Sequence, residues 1–516
     1  MYRLWAATGQ TALENAKICL LNATSTGCEI LKNLVLPGIG SVTVVDHTTV
    51  NDTDIRANFF LEPSNINHSK AESAAALLKE LNEDASVSFE NKCASDLIRT
   101  QPEFFDQFSM VIATNLVEQD VLALGDICDK TKKTLVTVHC KGLFGLFRIQ
   151  APEHAVVETH PENVIDLRLG CPFKELLAYV DTIDLDSLDQ TDHGHVPFVV
   201  VLLKYVNVWK EQHNGQTPQT YGERNELKNL IKSGMRKSDE ENFEEAVANV
   251  WRLSSTSTVD SSVREILEDP AAQNLESNSD SFWIITRAIK DFVDNEGEGQ
   301  LPLSGKLPDM KSDTENYIDL QNVFRQKAMA DLAAVKERVE RLLEQLKMPI
   351  DSIPDGVIEG YCKNAATIKV IRYRTLRDEY VTPSTDNLVS WLRADENIIF
   401  YILFRAAEKF AAKHNRYPGA AGGSKEEDID LLTEQAVEVL KDLGVSEGSH
   451  LLGSEFVQRC IKNYVQSADR EMANMAALMG GLIAQEAIKL ITRQYVPINN
   501  TCIFNGIAST SNIYAL

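Results

Sequence analysis

The chain has 516 residues, too many for one ordinary hydrophobic core, so two or three domains are expected. Its 51 basic and 75 acidic residues give a formal charge of -24, which opposes nucleic acid as a partner and favours solubility or basic protein partners. The greasiest run, Phe198 to Leu203, ends at Lys204 and falls far short of the ~20 residues of a membrane span, so no membrane partner is expected and the chain reads as cytoplasmic and nuclear.

In chain order, Ile18 to Leu21, Gly27 to Leu36 and Val42 to Asp46 lay out a strand, a helix and a second strand, the βαβ unit of a nucleotide-binding fold. Its phosphate-binding glycines are missing. In a working turn the first two glycines let backbone NH groups approach the phosphates at the helix N-terminus. Those places hold Asn22 and Thr24, each with a β-carbon in the space a phosphate needs, and only the packing glycine, Gly27, remains. Further strands are expected at Val87 to Glu90, Met110 to Thr114, Thr134 to Val138 and Gly145 to Gln150, with a helix over Lys70 to Leu81. The fold class is therefore α/β, a Rossmann-like doubly wound domain over residues 1–150.

After Pro152 the sequence turns to long amphipathic helical windows: Asn242 to Arg252, Ser281 to Asn295, Gln326 to Lys347, Leu388 to Lys413 and Glu427 to Leu443. Loops are expected at Asn295 to Asp313 and His414 to Ser424, where glycine and proline gather. Residues 151–470 thus read as a mostly helical insertion. Residues 471–516 return to the first domain through the small, apolar Met472 to Ile491, with Gly480 and Gly481 in mid-helix for close packing, and through strands at Tyr495 to Ile498 and Cys502 to Phe504. In the long helix, Leu332, Val335, Val339, Leu342 and Leu346 step by three and four, a buried stripe.

The chemistry-bearing residues give little. Nine cysteines are scattered with no zinc-knuckle spacing and read as reduced, mostly buried thiols. His154, His160, His193 and His195 gather around Asp192, but a polar turn explains them better than a metal, and Asp181 to Asp189 reads as a solvated face. Tyr317 to Lys327 carries aromatic, aliphatic and arginine side chains of the kind favoured in interfaces, with core packing an equal alternative.

Several segments carry a resemblance. Asn33 to Ser41 (NLVLPGIGS), Asp46, Asn58-Phe59-Phe60, Lys70-Ala71-Glu72 and Gly480 to Lys489 resemble the adenylation domain of ubiquitin-like-protein activating enzymes. Glu241 to Ala246, Ser281 to Ile284, Gly299 to Pro302, Pro308 to Met310 and Tyr317 to Arg325 narrow this, resembling the regulatory subunits of heterodimeric neddylation activating enzymes over nearly the whole chain. In catalytic members of that superfamily an Asn-x-x-Arg-Gln segment supplies an arginine to ATP; the matching positions here are Asp54, Ala57 and Asn58. Without the arginine, charge developing on a transferring adenylyl group has one cation fewer. The magnesium-binding aspartate is matched by Asn115, and an amide cannot neutralise Mg²⁺ as a carboxylate does. Lys70 and Asp46 survive at the positions of a phosphate-contacting lysine and a ribose-binding aspartate. No cysteine is followed by threonine, as the family's thioester-forming cysteine is.

The resemblance therefore implies no catalytic, cofactor-binding or metal residue on this chain. ATP and Mg are expected on the catalytic subunit of the heterodimer, which this chain would complete while helping to hold the ubiquitin-like modifier, feeding cullin modification. It also implies a partner interface at Tyr317, Ile318, Leu320, Gln321, Asn322, Val323, Phe324, Arg325 and Lys327. The family's N-terminal segment carries an arginine that reaches the partner's ATP; Arg3, Leu4 and Trp5 match its end and the arginine would precede Met1. The competing reading is a self-sufficient adenylating or nucleotide-dependent enzyme with a divergent turn. The equivalent subunit for a SUMO-type modifier has a much smaller middle region.

Overall fold

A computed structural model describes residues 2–160, 165–254, 259–445, 451–467 and 470–516; the side chains of residues 1–7, and with them Arg3, Leu4 and Trp5, lie outside the description. After an N-terminal helix, Tyr2–Asn15, come β1 (Lys17–Leu21), α1 (Ser25–Val35) and β2 (Ser41–Val45). β1 is an unbroken apolar run because both faces of its sheet are covered: Ile18 and Leu20 pack with Cys28 and Leu31, Cys19 and Leu21 with Leu97 and Val111. α1 starts where it does because Thr24, in extended conformation, accepts the Gly27 N–H through its hydroxyl. α2 (Lys70–Leu81), β3 (Ser86–Glu90), β4 (Met110–Thr114), β5 (Thr134–Lys141) and β6 (Phe144–Gln150) follow.

After the short β7 (His154–Val156) the chain forms a second compact unit over residues 155–369. Its core gathers Leu176, Val199, Leu202, Phe243, Leu320 and Phe324 among others. The long α3 (Thr314–Gln345) begins twelve residues before the Gln326 expected from periodicity, capped by Asp313, whose carboxylate accepts the Asn316 N–H at 2.8 Å. Tyr317 to Lys327 is thus the first turns of α3 and not a separate segment. The buried stripe also differs: Leu320, Phe324, Asp331, Val335, Val339 and Leu343 face inward, and Leu332, Leu342 and Leu346 flank it.

The first unit comprises residues 1–154 and 370–516, so the helical insertion ends at Lys369 and not at 470. The reason is physical. A sheet with helices on both faces recruits some of the later helices, and helical character therefore does not mark the boundary. After β8 (Lys369–Ile371), α4 (Ile399–His414) lies on β6, with Phe400 stacked on Phe144 at 4.3 Å between ring centroids. The expected single helix from Leu388 to Lys413 is broken at Asp395, whose carboxylate accepts the Asn397 N–H and the Tyr514 hydroxyl. α5 (Ala473–Thr492) packs on α1, and β9 (Thr501–Asn505) and β10 (Thr510–Tyr514) close the sheet. α5 is long and apolar enough to cross a membrane, a feature the sequence reading passed over, but 56% of that window is buried within the protein. Tyr495 to Ile498 is not a strand. Pro497 has no N–H to donate to a ladder, and the Ile498 N–H goes to Glu486 at 2.9 Å.

The eight-stranded sheet runs β10-β9-β6-β5-β4-β1-β2-β3, with β3, β2, β1, β4 and β5 parallel and the other neighbours antiparallel. The order reverses at β1. In doubly wound sheets ligands bind in the crevice at the carboxyl ends of the two strands flanking that reversal, here β1 and β4.

Candidate functional site

The residues at the carboxyl ends of β1 and β4 are Asn22 and Asn115, both with left-handed backbone (φ 65° and 51°). Asn22 does more than crowd the turn. Its Nδ2 donates to the Thr114 carbonyl at 2.8 Å, and the Thr114 hydroxyl donates back to the Asn22 carbonyl at 2.7 Å. These two bonds stitch the ends of β1 and β4 together at the switch point. Thr24 spends its hydroxyl on capping α1, and the Ala23 N–H donates to Asp46 at 2.8 Å. The other Asp46 oxygen accepts the Thr48 N–H at 2.8 Å and the Thr48 hydroxyl at 2.6 Å. The residue matching a ribose-binding aspartate therefore pins its own loop, and it is buried.

The remaining family positions are similarly turned inward. Lys70 pairs with Asp54 at 2.8 Å, so the surviving phosphate-type lysine is neutralised by the residue that stands where the family has asparagine. Asn58 is buried, donating from Nδ2 to the Cys28 sulfur at 3.3 Å and accepting the Phe60 N–H at 3.0 Å.

One residue at the crevice was not found by sequence reasoning. Glu471, on the approach to α5, places one carboxylate oxygen 3.0 Å from the Thr26 N–H in the first turn of α1, and the other 3.5 Å from Asn115 Nδ2. The Gly142 N–H donates to the Arg470 carbonyl at 2.9 Å and holds this segment against the end of β5. Burial raises the Glu471 carboxyl above its usual range; the Thr26 N–H, the Lys141 charge and the Thr26 and Thr24 hydroxyls oppose that rise. Nothing near residue 471 in sequence signals this, because its partner lies 445 residues away.

Seven of the nine cysteines are buried; Cys93 is half-buried and Cys171, followed by proline, is exposed. Burial pushes the thiols of Cys28, Cys128, Cys140, Cys362 and Cys502 up to about 12. A nucleophilic cysteine needs the opposite setting. Among the described residues no group of three His, Cys, Asp or Glu side chains could hold a metal ion. His193 is buried, stacked on Phe243, with Nδ1 2.9 Å from Glu240, and His195 turns its Nδ1 to the Thr191 carbonyl at 2.7 Å.

The expected interface residues share α3 but divide between two faces. Leu320 and Phe324 belong to the core of the second unit, with Tyr317 and Val323 packed beside them. Ile318, Gln321, Asn322 and Arg325 face solvent, spaced as one helical stripe that Met329 continues. Lys327 is half-buried and pairs with Asp331 at 2.7 Å.

Residues 1–514 match the ThiF family. The chain is 41% identical over 520 residues to the NEDD8-activating enzyme E1 regulatory subunit AXR1 of Arabidopsis thaliana, covering all of this chain and 95% of that protein. It is equally 41% identical to the NEDD8-activating enzyme E1 regulatory subunit of Gallus gallus, over all of this chain and 97% of that protein. The Drosophila melanogaster Nedd8-activating enzyme E1 regulatory subunit is 41% identical over 99% of this chain and 95% of its own length. With a Rossmann-like sheet whose switch point lacks its glycine turn and with full-length similarity to these proteins, the chain belongs to the ThiF family and, within it, to the NEDD8-activating enzyme E1 regulatory subunits.

Proposed function

We propose that this chain is the non-catalytic half of a two-chain enzyme that activates a ubiquitin-like modifier of the NEDD8 type. It supplies architecture and contacts to the modifier, and its catalytic partner binds ATP and Mg²⁺ and carries the reactive thiolate. It binds neither nucleotide nor metal itself, engages neither nucleic acid nor membrane, and works in the cytoplasm and nucleus. The observation that supports this reading best is the double stitch between Asn22 and Thr114, made at the switch point where a nucleotide fold keeps its phosphate-binding glycine turn. A second support is the capture of every family-type polar residue by a neighbour: Asp46 by Ala23 and Thr48, Lys70 by Asp54, Asn58 by Cys28 and Phe60. The exposed α3 stripe of Ile318, Gln321, Asn322, Arg325 and Met329 is assigned to the partner subunit, with Arg325 as the charged anchor of a mixed apolar and polar face.

ATP:pyrophosphate exchange with the modifier present tests the reading, run with this chain, with the partner, and with both. Exchange by the pair and not by this chain is expected. Exchange by this chain alone would establish the competing enzyme reading.

A further inference from the structure

The anion that a nucleotide fold receives at the first turn of its switch-point helix is, in this chain, a carboxylate of its own. α1 follows the reversal strand β1, and its first turn presents free N–H groups and the positive end of the helix dipole, worth roughly half a unit charge. The Gly27 N–H is taken by the Thr24 hydroxyl. The Thr26 N–H is taken by Glu471 at 3.0 Å, and the same carboxylate approaches Asn115, the residue standing where the family places its magnesium aspartate. Lys141 and the hydroxyls of Thr24 and Thr26 favour its ionised form. One helix-end N–H and one amide reach this carboxylate, with the Lys141 charge acting on it, a donor set of the kind by which phosphate is held.

We propose that Glu471 is the built-in occupant of this crevice: its carboxylate stands where a nucleotide phosphate would, excluding external oxyanions and docking residues 470–472 on the sheet. The inference rests on reading the crevice as nucleotide-derived. It adds that the N–H donors of the first turn of α1 persist and are satisfied from within the chain, Gly27 by Thr24 and Thr26 by Glu471.

The test uses the full chain with inorganic pyrophosphate, titrated calorimetrically at constant ionic strength. The wild-type chain is expected to show no saturable binding. Glu471→Gln leaves the place filled by an amide oxygen that still accepts the Thr26 N–H, and is expected to behave like wild type. Glu471→Ala empties the place and is expected to bind pyrophosphate at least about tenfold more tightly than wild type, a difference of about 1.4 kcal/mol. Equal binding by wild type and Glu471→Ala overturns the proposal, as does a folded Glu471→Ala chain that binds none. Should Glu471→Ala not fold, amide hydrogen exchange of the wild-type peptide spanning Ala23 to Gly27 decides: slow exchange at Thr26 without nucleotide supports an internal acceptor, and exchange at the rate of an open helix end refutes it. These outcomes are separate from the fate of the two-chain reading, since pair-only ATP:pyrophosphate exchange would stand whichever way Glu471 behaves.

Discussion

Replacing Gly480 with alanine probes a close approach of α5 to α1. A β-carbon there would stand 2.5 Å from Glu29 Cβ, 3.0 Å from the Glu29 carbonyl carbon and 3.1 Å from the Ile30 nitrogen. Carbon contacts settle near ~3.5–4.0 Å, so α5 must withdraw by roughly 1 Å. Two of the three atoms are backbone, and no side-chain rotation relieves them. Overpacking of this kind costs about 1–3 kcal/mol, and rigid helix backbone on both sides places this case at the upper end. The exchange also returns about 1 kcal/mol of helix propensity, leaving a net loss of about 2 kcal/mol. Gly481, its neighbour, meets nothing within 4 Å, so Gly481→Ala keeps only the propensity gain and stabilises by about 1 kcal/mol. Urea titrations of the two variants beside wild type read the contrast as midpoints moving in opposite directions at equal slope. Midpoints moving in the same direction would show that the α1–α5 approach does not depend on the missing side chain.

Three further outcomes are expected. Arg148 Nε donates to Glu379 Oε2 at 2.6 Å with both side chains buried, so Glu379→Ala strands a buried guanidinium and lowers stability by about 3–5 kcal/mol; an unchanged melting temperature would mean that the charge is already solvated. Burial first, and then the Arg493 charge, pull the His154 imidazole from 6.5 down to about 4. The unfolded chain then binds more protons between those values, so the stabilisation is complete above pH 6.5 and is lost as pH falls toward 4, by up to about 3 kcal/mol; His154→Phe should flatten stability across that window, and an unaltered slope contradicts the assignment. Native alkylation with iodoacetamide, read by mass spectrometry, should modify Cys171 first and spare Cys28, Cys140 and Cys502 until urea is added; early modification of Cys140 would place it at a surface the fold does not give it.

The sheet was legible because its parallel strands are buried on both faces and leave unbroken apolar runs, as in Ile18 to Leu21 and Met110 to Thr114. α2 coincides with its expected range because Ser69 caps it and a polar loop ends it. The division into units was harder to read. α4 has the same composition whether it covers its own domain's sheet or belongs to an insertion, and only its tertiary partner Phe144 separates the cases. β10 escaped notice because Thr510, Ser511 and Asn512 lack a two-residue apolar alternation; pairing with β9 makes them a strand. At the crevice the loss of the glycines was evident from Asn22 and Thr24, since a missing residue type is a local property. The stitch to Thr114 and the carboxylate of Glu471 were invisible, because each depends on groups brought together from distant positions.

The pairing of β6 with β9 bears on how the polypeptide is made. Residues 144–148 bond to residues 501–505, so while the ribosome works through everything between, β6 waits with one backbone edge open and Phe144, Leu146, Phe147 and Ile149 beside it. Residues 155–369 have their own core and are complete in the nascent chain well before that edge is covered. Translation arrested just short of Thr501 should therefore leave a protease-resistant middle flanked by a sensitive, chaperone-binding β5–β6 hairpin. Equal resistance of both regions in such an arrested chain would show that the edge is shielded by something other than its final strand.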